Sequence, residues 1–341
     1  MKVLITGGAG FIGQYFGPAL AAAGRASVSL DLAPAANPAA PVTLGDVRDR
    51  SALETALAGC DAVLHLAAAH HDFGITRDTF FSVNEEGART LTAAMDAVGV
   101  RELCFSSTVA VYGDAPPPYD ETKIPAPNTP YGASKLAGEA VFRAWTERGE
   151  GRRCLVIRPT VTFGPGNFAN MYSLIREIDR GRFLRVGQGT NIKSLSYVEN
   201  LVAATLYLWS RPARGAFEVF NYIDKPDLTS GQIVAAVYED LGKPLPKLAV
   251  PYPIARALAL PFDAVIAATG RNLPISSARL KKLVLSETRY EADKVRAAGF
   301  VPPVDLREGI RRMVAWYQAS GKSQSQRVSL PPPDIVRAGS S

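Results

Sequence analysis

The sequence predicts an α/β fold: a doubly wound parallel sheet joined to a smaller, mixed C-terminal lobe. Three observations predict it. The apolar run Lys2–Thr6 passes straight into Gly7-Gly-Ala-Gly-Phe-Ile-Gly13 and then into a helical pattern through Ala23. Short apolar runs alternate with helical patterns as far as Ile157, and parallel strands need such crossover helices. The chain has 341 residues, enough for about two domains at roughly 150 residues each.

A strand, a glycine-rich turn and a helix in that order form a dinucleotide fingerprint. Gly7 allows the tight turn, Gly10 lets a pyrophosphate approach the backbone, and Gly13 lets the helix pack closely. Phe11 and Ile12 complete the loop, and the helix start then offers its free N–H groups to phosphate. A second strand, Ala26–Leu30, ends on Asp31. A carboxylate there accepts from both hydroxyls of an adenosine ribose and repels a 2′-phosphate, so NAD is expected and not NADP. Val42–Leu44 is a third strand. After it, Asp46 either meets an adenine amino group, with Val47 beside it, or caps the helix Ser51–Leu57. The fourth strand, Ala62–Leu66, runs into Ala67-Ala68-Ala69, whose small side chains let a cofactor pass. His65 reads as a core histidine. His70, His71 and Asp72 stand at a strand end where ligands bind in such sheets, and they are too few for a metal site. Thr79–Val98 is a long amphipathic helix containing Asn84, and Glu102–Phe105 is the fifth strand.

Beyond the proline-rich loop Asp114–Asn128 lies Thr129-Pro-Tyr-Gly-Ala-Ser-Lys135. Thr129 is a good N-cap and Pro130 suits the first helical position. Tyr131 and Lys135 then share one helix face. A phenol with a pKa of about 10 is a poor base near neutrality, and an ammonium beside it favours the phenolate. Tyr131 becomes a usable acid or base for a hydroxyl or carbonyl substrate. The sixth strand, Cys154–Ile157, is followed by Arg158-Pro-Thr-Val-Thr-Phe-Gly-Pro-Gly166.

Lys and Arg exceed Asp and Glu by six, without the aromatic-rich basic motif or cationic run that nucleic-acid binding needs. Cys60, Cys104 and Cys154 are scattered, which suits buried thiols in a reducing compartment. The N-terminal apolar run ends at glycines and reads as a strand, not a signal peptide. The division expected is a nucleotide domain over 1–163 plus 188–215, a lobe over 164–187 plus 216–320, and a tail over 321–341. Within the lobe, Tyr252–Gly270 is strongly apolar but interrupted by Pro253, Arg256, Pro261 and Asp263. Two lobe helices around Pro261 are one reading. The other is a membrane-surface element flanked by Arg256, Arg271, Arg279, Lys281 and Lys282.

The glycine loop, Asp31, Ser106–Gly113, Tyr131 with Lys135, and Arg158-Pro159 occur in one order, and so the chain resembles the extended short-chain dehydrogenase/reductases, the NAD-dependent epimerase/dehydratase family. The resemblance spans roughly residues 1–320. It implies a Rossmann domain with NAD held by Gly7, Gly10, Phe11, Ile12, Gly13, Asp31, Asp46, Val47, Leu66, Ala67, Ala68, Tyr131, Lys135 and Pro159. It also implies Thr108, Tyr131 and Lys135 as the catalytic set. Family dehydratases and decarboxylases carry acids where Val109 and Ala110 stand, which leaves an epimerase or a simple dehydrogenase. Many nucleotide-sugar members hold the diphosphate with an asparagine where this chain has Val161. Asn167 and Asn170 are candidates to replace it. Lys193 is either a phosphate contact, where relatives have arginine, or a surface lysine.

At finer grain, Ala67–Asp72, Ser106–Gly113, Arg158–Gly164, Ser194–Asn200, Phe220–Leu228 and Pro251–Pro253 resemble bacterial epimerases that convert polyprenyl-diphosphate-linked N-acetylglucosamine to N-acetylgalactosamine. Two departures are His71, where that group has arginine, and Pro165-Gly166 in place of Glu-Arg. The substrate expected is a diphosphate-linked hexose on a polyprenyl or nucleotide carrier, with Thr108, His71, Asn167, Asn170 and Lys193 around it. A dehydrogenase or ketoreductase on a nucleotide sugar or sterol-like alcohol is the alternative. A cytoplasmic enzyme at the inner membrane face and a homodimer complete these expectations.

Overall fold

The computed structural model describes residues 1–34, 41–70, 75–114, 117–213, 215–269, 276–277, 281, 284 and 287–324. The N-terminal half builds strands β1 (Lys2–Thr6), β2 (Ala26–Asp31), β3 (Val42–Leu44), β4 (Ala62–His65), β5 (Glu102–Ser106) and β6 (Arg153–Pro159). Helices α1 (Gly13–Ala22), α2 (Arg50–Leu57), α3 (Arg77–Phe81), α4 (Gly87–Val98) and α5 (Pro130–Glu147) connect them. The remaining elements are β7 (Val161–Phe163), α6 (Asn170–Asp179), β8 (Ile192–Lys193), β9 (Leu195–Tyr197), α7 (Val198–Ser210), β10 (Phe217–Tyr222), β11 (Leu228–Thr229), α8 (Ser230–Asp240), α9 (Tyr252–Thr269), α10 (Asp293–Ala297) and α11 (Leu306–Trp316).

Seven parallel strands form one sheet in the order β10-β6-β5-β4-β1-β2-β3. Side chains alternate across it. Leu4, Val63, Leu103, Phe105 and Val156 face one layer with Leu53, Leu91, Met95, Phe142 and Trp145 of the helices. Val3, Ile5, Leu64, Cys104, Leu155 and Ile157 face the other, with Phe16, Leu20, Leu201 and Leu208. Covering both faces is what lets these strands be apolar throughout. The order reverses between β1 and β4, so the loops after those strands open a crevice at the switch point.

Two expectations change at this level. The helix expected over Thr79–Val98 runs without a gap from Arg77, but with a π-helical turn, Ser82–Glu86, between α3 and α4. The expected lobe segment starting at 216 opens with β10, which pairs with β6 as the edge of the main sheet, Phe217 opposite Cys154 and Tyr222 opposite Pro159. A division at 215/216 therefore cuts between a sheet helix and a sheet strand. The lobe has its own core, in which Phe163, Tyr172, Ile175, Tyr197, Ile233 and Val237 pack against Ile310, Met313 and Tyr317. Two small ladders, β7 with β9 and β8 with β11, join its segments. Of the expected tail, residues 325–341 lie outside the described residues.

Candidate active site

Of the described site residues, Gly7–Gly13 follow β1, Asp31 ends β2, Asp46 and Val47 follow β3, Leu66–Ala68 follow β4, Thr108 follows β5 and Pro159 ends β6. Gly7 follows β1 with φ +75°, and a Cβ there would fall 2.7 Å from the amide nitrogen of Ala67. A side chain is excluded on both counts. Gly13 opens α1 against the loop, where a Cβ would lie 2.5 Å from the carbonyl oxygen of Gly7. No side chain caps this helix start, and Ile12 occupies the cap position with helical dihedrals. Uncapped N–H groups at a glycine cradle suit a pyrophosphate.

Asp31 ends β2 and turns back toward this loop, with Oδ2 accepting the Ala9 N–H at 2.9 Å and Oδ1 the Ala33 N–H at 3.1 Å. The fit to a dinucleotide is good here. Asp46 pairs with Arg48. Oδ1 accepts from the amide and Nε of Arg48, and Oδ2 accepts Nη2 at 2.7 Å. The N-cap of α2 is Asp49 and not Asp46. Val47 is buried against the α2–α4 layer, while Leu66, Ala67 and Ala68 are half-buried beyond β4. Pro159 is buried at the end of β6.

The helix carrying Tyr131 and Lys135 forms as the sequence predicts. Thr129 Oγ1 accepts the Gly132 N–H at 3.1 Å, with Pro130 in the first turn. Gly132 is set against the turn that follows Thr108, since a Cβ there would overlap the Ala110 carbonyl. Thr108 in turn caps a 3-10 helix, Val109–Tyr112, its Oγ1 accepting the Ala110 N–H at 3.1 Å. This packing joins Thr108 and α5. Lys135 is buried, its Nζ 4.2 Å from the centre of the Phe105 ring. Burial pulls its pKa down to about 7, opposed by the nearby Glu139 carboxylate. His65 is buried behind Phe105, stacked at 5.5 Å, and Nδ1 meets Thr6 Oγ1 at 2.7 Å. Burial first, and the Lys135 charge second, keep it neutral, with a pKa of about 3. No group of acid and histidine or cysteine side chains able to hold a metal occurs among the described residues.

The substrate-side expectations fare unevenly. His71 and Asp72 lie outside the described residues. Asn167 turns inward and closes its own loop, donating to the Thr162 carbonyl at 3.1 Å and accepting the Ala169 N–H at 2.7 Å. Asn170 is exposed at the start of α6, and Lys193 is half-buried on β8 opposite Leu228. Val161 is exposed on β7.

Other site residues escaped the sequence reading. Asn84, in the π-helical turn, holds Ala69 by both amide groups and donates to Ser134 Oγ at 2.8 Å, fastening α5 to the loop after β4. A lone asparagine within an amphipathic helix was the available clue. Ser107, Tyr112, Glu139 and Asn221 form a buried polar network with Arg158 that no local pattern announces.

Residues 3–222 match the model of the NAD dependent epimerase/dehydratase family. The chain is 42% identical over 274 residues to N-acetyl-alpha-D-glucosaminyl-diphospho-ditrans,octacis-undecaprenol 4-epimerase of Escherichia coli O157:H7, covering 80% of this chain and 82% of that protein. Among solved structures it is similar to MoeE5 in complex with UDP-glucose and NAD, with a TM-score of 0.72, 25% identity, and coverage of 93% and 99% of the two chains. It also shares its fold with the UDP-glucose 4-epimerase of Thermus thermophilus in complex with NAD, at TM-score 0.72 and 24% identity, covering 94% of this chain and 100% of the other. With its nucleotide cradle, its Tyr131/Lys135 helix and a family match over most of its length, the chain belongs to the NAD-dependent epimerase/dehydratase family.

Proposed function

We propose that the protein is an NAD-dependent 4-epimerase of a diphosphate-linked hexose, and that its substrate is an N-acetylglucosamine-type sugar on a polyprenyl carrier. The observation that carries the reaction is Thr108 packed beside α5, followed by Val109 and Ala110 where elimination would need acids. The 42% identity to an undecaprenol-linked 4-epimerase supports the substrate. Bound NAD supplies the hydride acceptor and, later, the donor. Tyr131 takes the C4 hydroxyl proton, Thr108 hydrogen-bonds the developing carbonyl, and Lys135 favours the phenolate. The 4-keto sugar turns before Tyr131 returns the proton.

The decisive assay offers polyprenyl-diphosphate N-acetylglucosamine and UDP-N-acetylglucosamine in parallel, without added NAD. Conversion of the first, with no NADH absorbance building up, is the expected result. In a parallel run with NAD added, NADH accumulating in step with product would establish the dehydrogenase alternative, and turnover of only the UDP-sugar would refute the lipid carrier.

The lipid reading has support from α9. Among its described side chains the buried ones are the small Ala255 and Ala259, one turn apart, while Leu258 is 61% exposed and Ile254, Leu260, Phe262 and Val265 also face outward. An ordinary lobe helix would bury its large side chains and leave the small ones outside. Pro261 lies within this single helix, so the pair of helices expected around it does not form. Leu248 is 89% exposed just before α9, and Leu184 is exposed near it, because Arg185 bonds Val250. Arg182, Lys247, Arg256 and Lys281 add exposed cations. Arg271, Arg279 and Lys282 lie outside the described residues.

No helix among the described residues is long and apolar enough to cross a membrane. Apolar burial at about 25 cal/mol per Å² and about 1 kcal/mol per cation near anionic lipid suffice for reversible peripheral binding. This reading sets the enzyme against the inner face of the membrane. Cosedimentation with anionic vesicles should be salt-sensitive and weakened by Leu258→Glu with the fold intact; an unaltered pellet fraction would sink it.

A further inference from the structure

An ion pair lies under the catalytic helix that the reaction above does not use. Glu139 is one helical turn beyond Lys135 on α5 and is buried, as is Arg158 at the end of β6. Glu139 Oε1 accepts Ser107 Oγ at 2.5 Å and Arg158 Nε at 2.9 Å, and Oε2 accepts Arg158 Nη2 at 2.6 Å. Arg158 Nη1 donates to the Tyr112 hydroxyl at 2.9 Å, and Tyr112 donates to Asn221 Oδ1 at 2.8 Å. Each member belongs to an element that carries or borders a site residue. Ser107 precedes Thr108, Tyr112 ends the turn that Thr108 caps, Arg158 precedes Pro159, and Glu139 shares α5 with Tyr131 and Lys135.

We propose that Glu139, clamped by Arg158, is a positioning residue that keeps Lys135 in its ammonium form and holds Thr108 and Tyr131 in one register. The ammonium needs such help. Its side chain is buried on the Phe105 ring, and burial disfavours the charged form of a lysine. The ionisable groups coupled to it are His65 on β4 and Glu139 on α5, with Tyr131 one turn before it on the same helix. His65 is neutral, and Glu139 is the carboxylate among them. A bidentate guanidinium fixes that carboxylate in one plane, which a lone glutamate in a cavity would not achieve.

A purely structural ion pair would affect stability alone. A positioning pair must also alter the ionisation of Tyr131, because the phenol answers to the charge on Lys135. The measurement is the near-ultraviolet phenolate absorbance of the NAD-bound protein against pH, with a matching Tyr131→Phe sample subtracted in each background. No sugar is present, so an error in the assigned substrate leaves this test intact. In Glu139→Gln the Tyr131 step should move to higher pH by about one unit or more, since Lys135 without the carboxylate loses its proton more readily and no longer favours the phenolate. Should that variant fail to fold, Glu139→Gln/Arg158→Met removes both charges and should move the step in the same direction by less. Glu139→Asp retains the charge and should titrate with the wild type. A folded Glu139→Gln or double variant that titrates as the wild type does, with only its melting temperature lowered, overturns the proposal. So does Glu139→Asp shifting as far as Glu139→Gln.

Discussion

The proposed reaction rests on Tyr131 as its proton acceptor. Tyr131→Phe keeps the ring against Phe80, 6.2 Å between centroids, and removes only the hydroxyl. Loss of about 10²–10⁴ in turnover is expected, with NAD still recovered from the protein on heating. Product analysis beside a cofactor assay checks both halves. Asp31 makes a second test at this scale. Its carboxylate is tied to the Ala9 and Ala33 amides, and the proposed ribose contact there would repel a 2′-phosphate. Asp31→Ala should therefore narrow the preference for NAD over NADP. Unchanged relative affinities, measured by fluorescence titration, would remove Asp31 from the cofactor site.

Among the elements, α5 brings most of the site together, and its start depends on one hydroxyl. Thr129→Ala deletes the acceptor for the Gly132 N–H and should cost about 1 kcal/mol in a urea unfolding experiment. The same helix shows why local pattern goes only so far. Its cap, its first-turn proline and the Tyr131/Lys135 spacing were all legible, since each obeys a rule operating within one or two turns. The depth at which Lys135 is buried was not, because Phe105 and Glu139 cover it from a strand and from the helix's own next turn. Asn84 makes the same point. Nothing within α3 or α4 calls for a π-helical turn between them, but Ala69 and Ser134 are both satisfied by it.

At the scale of the whole molecule, Asp224 ties layers together. It follows β10 and accepts from the Tyr197 amide, from Asn200 Nδ2 at 2.9 Å and from the Tyr222 hydroxyl at 2.7 Å, while Asn200 also pairs with Val304 ahead of α11. Burial raises its pKa from 3.8 to about 6, with the three donors opposing. The folded state thus holds this proton more tightly than the unfolded chain does. The resulting stability is complete below about pH 4 and is lost as pH rises through about 6, some 3 kcal/mol over roughly two units. Urea midpoints at the two ends of that window should fall with rising pH, and fall less in Asp224→Asn. Equal falls in both proteins would assign the effect to other groups.

The sequence by itself determined the sheet class, the dinucleotide cradle and the Tyr131/Lys135 helix. Each is specified by residues adjacent in the chain: a glycine needed at positive φ, a cap, a period of two or of 3.6 residues. Tertiary structure alone decided what depends on residues far apart in sequence. The return of Phe217–Tyr222 to the main sheet needed β6 as its partner, across more than 50 residues of intervening chain. The closing of Asn167 onto its own loop, the pairing of Asp46 with Arg48, the outward-facing leucines of α9 and the Glu139–Arg158 clamp likewise depend on what else occupies the space around them. Burial and pairing are properties of a neighbourhood, and the neighbourhood of a side chain exists only once the chain has folded.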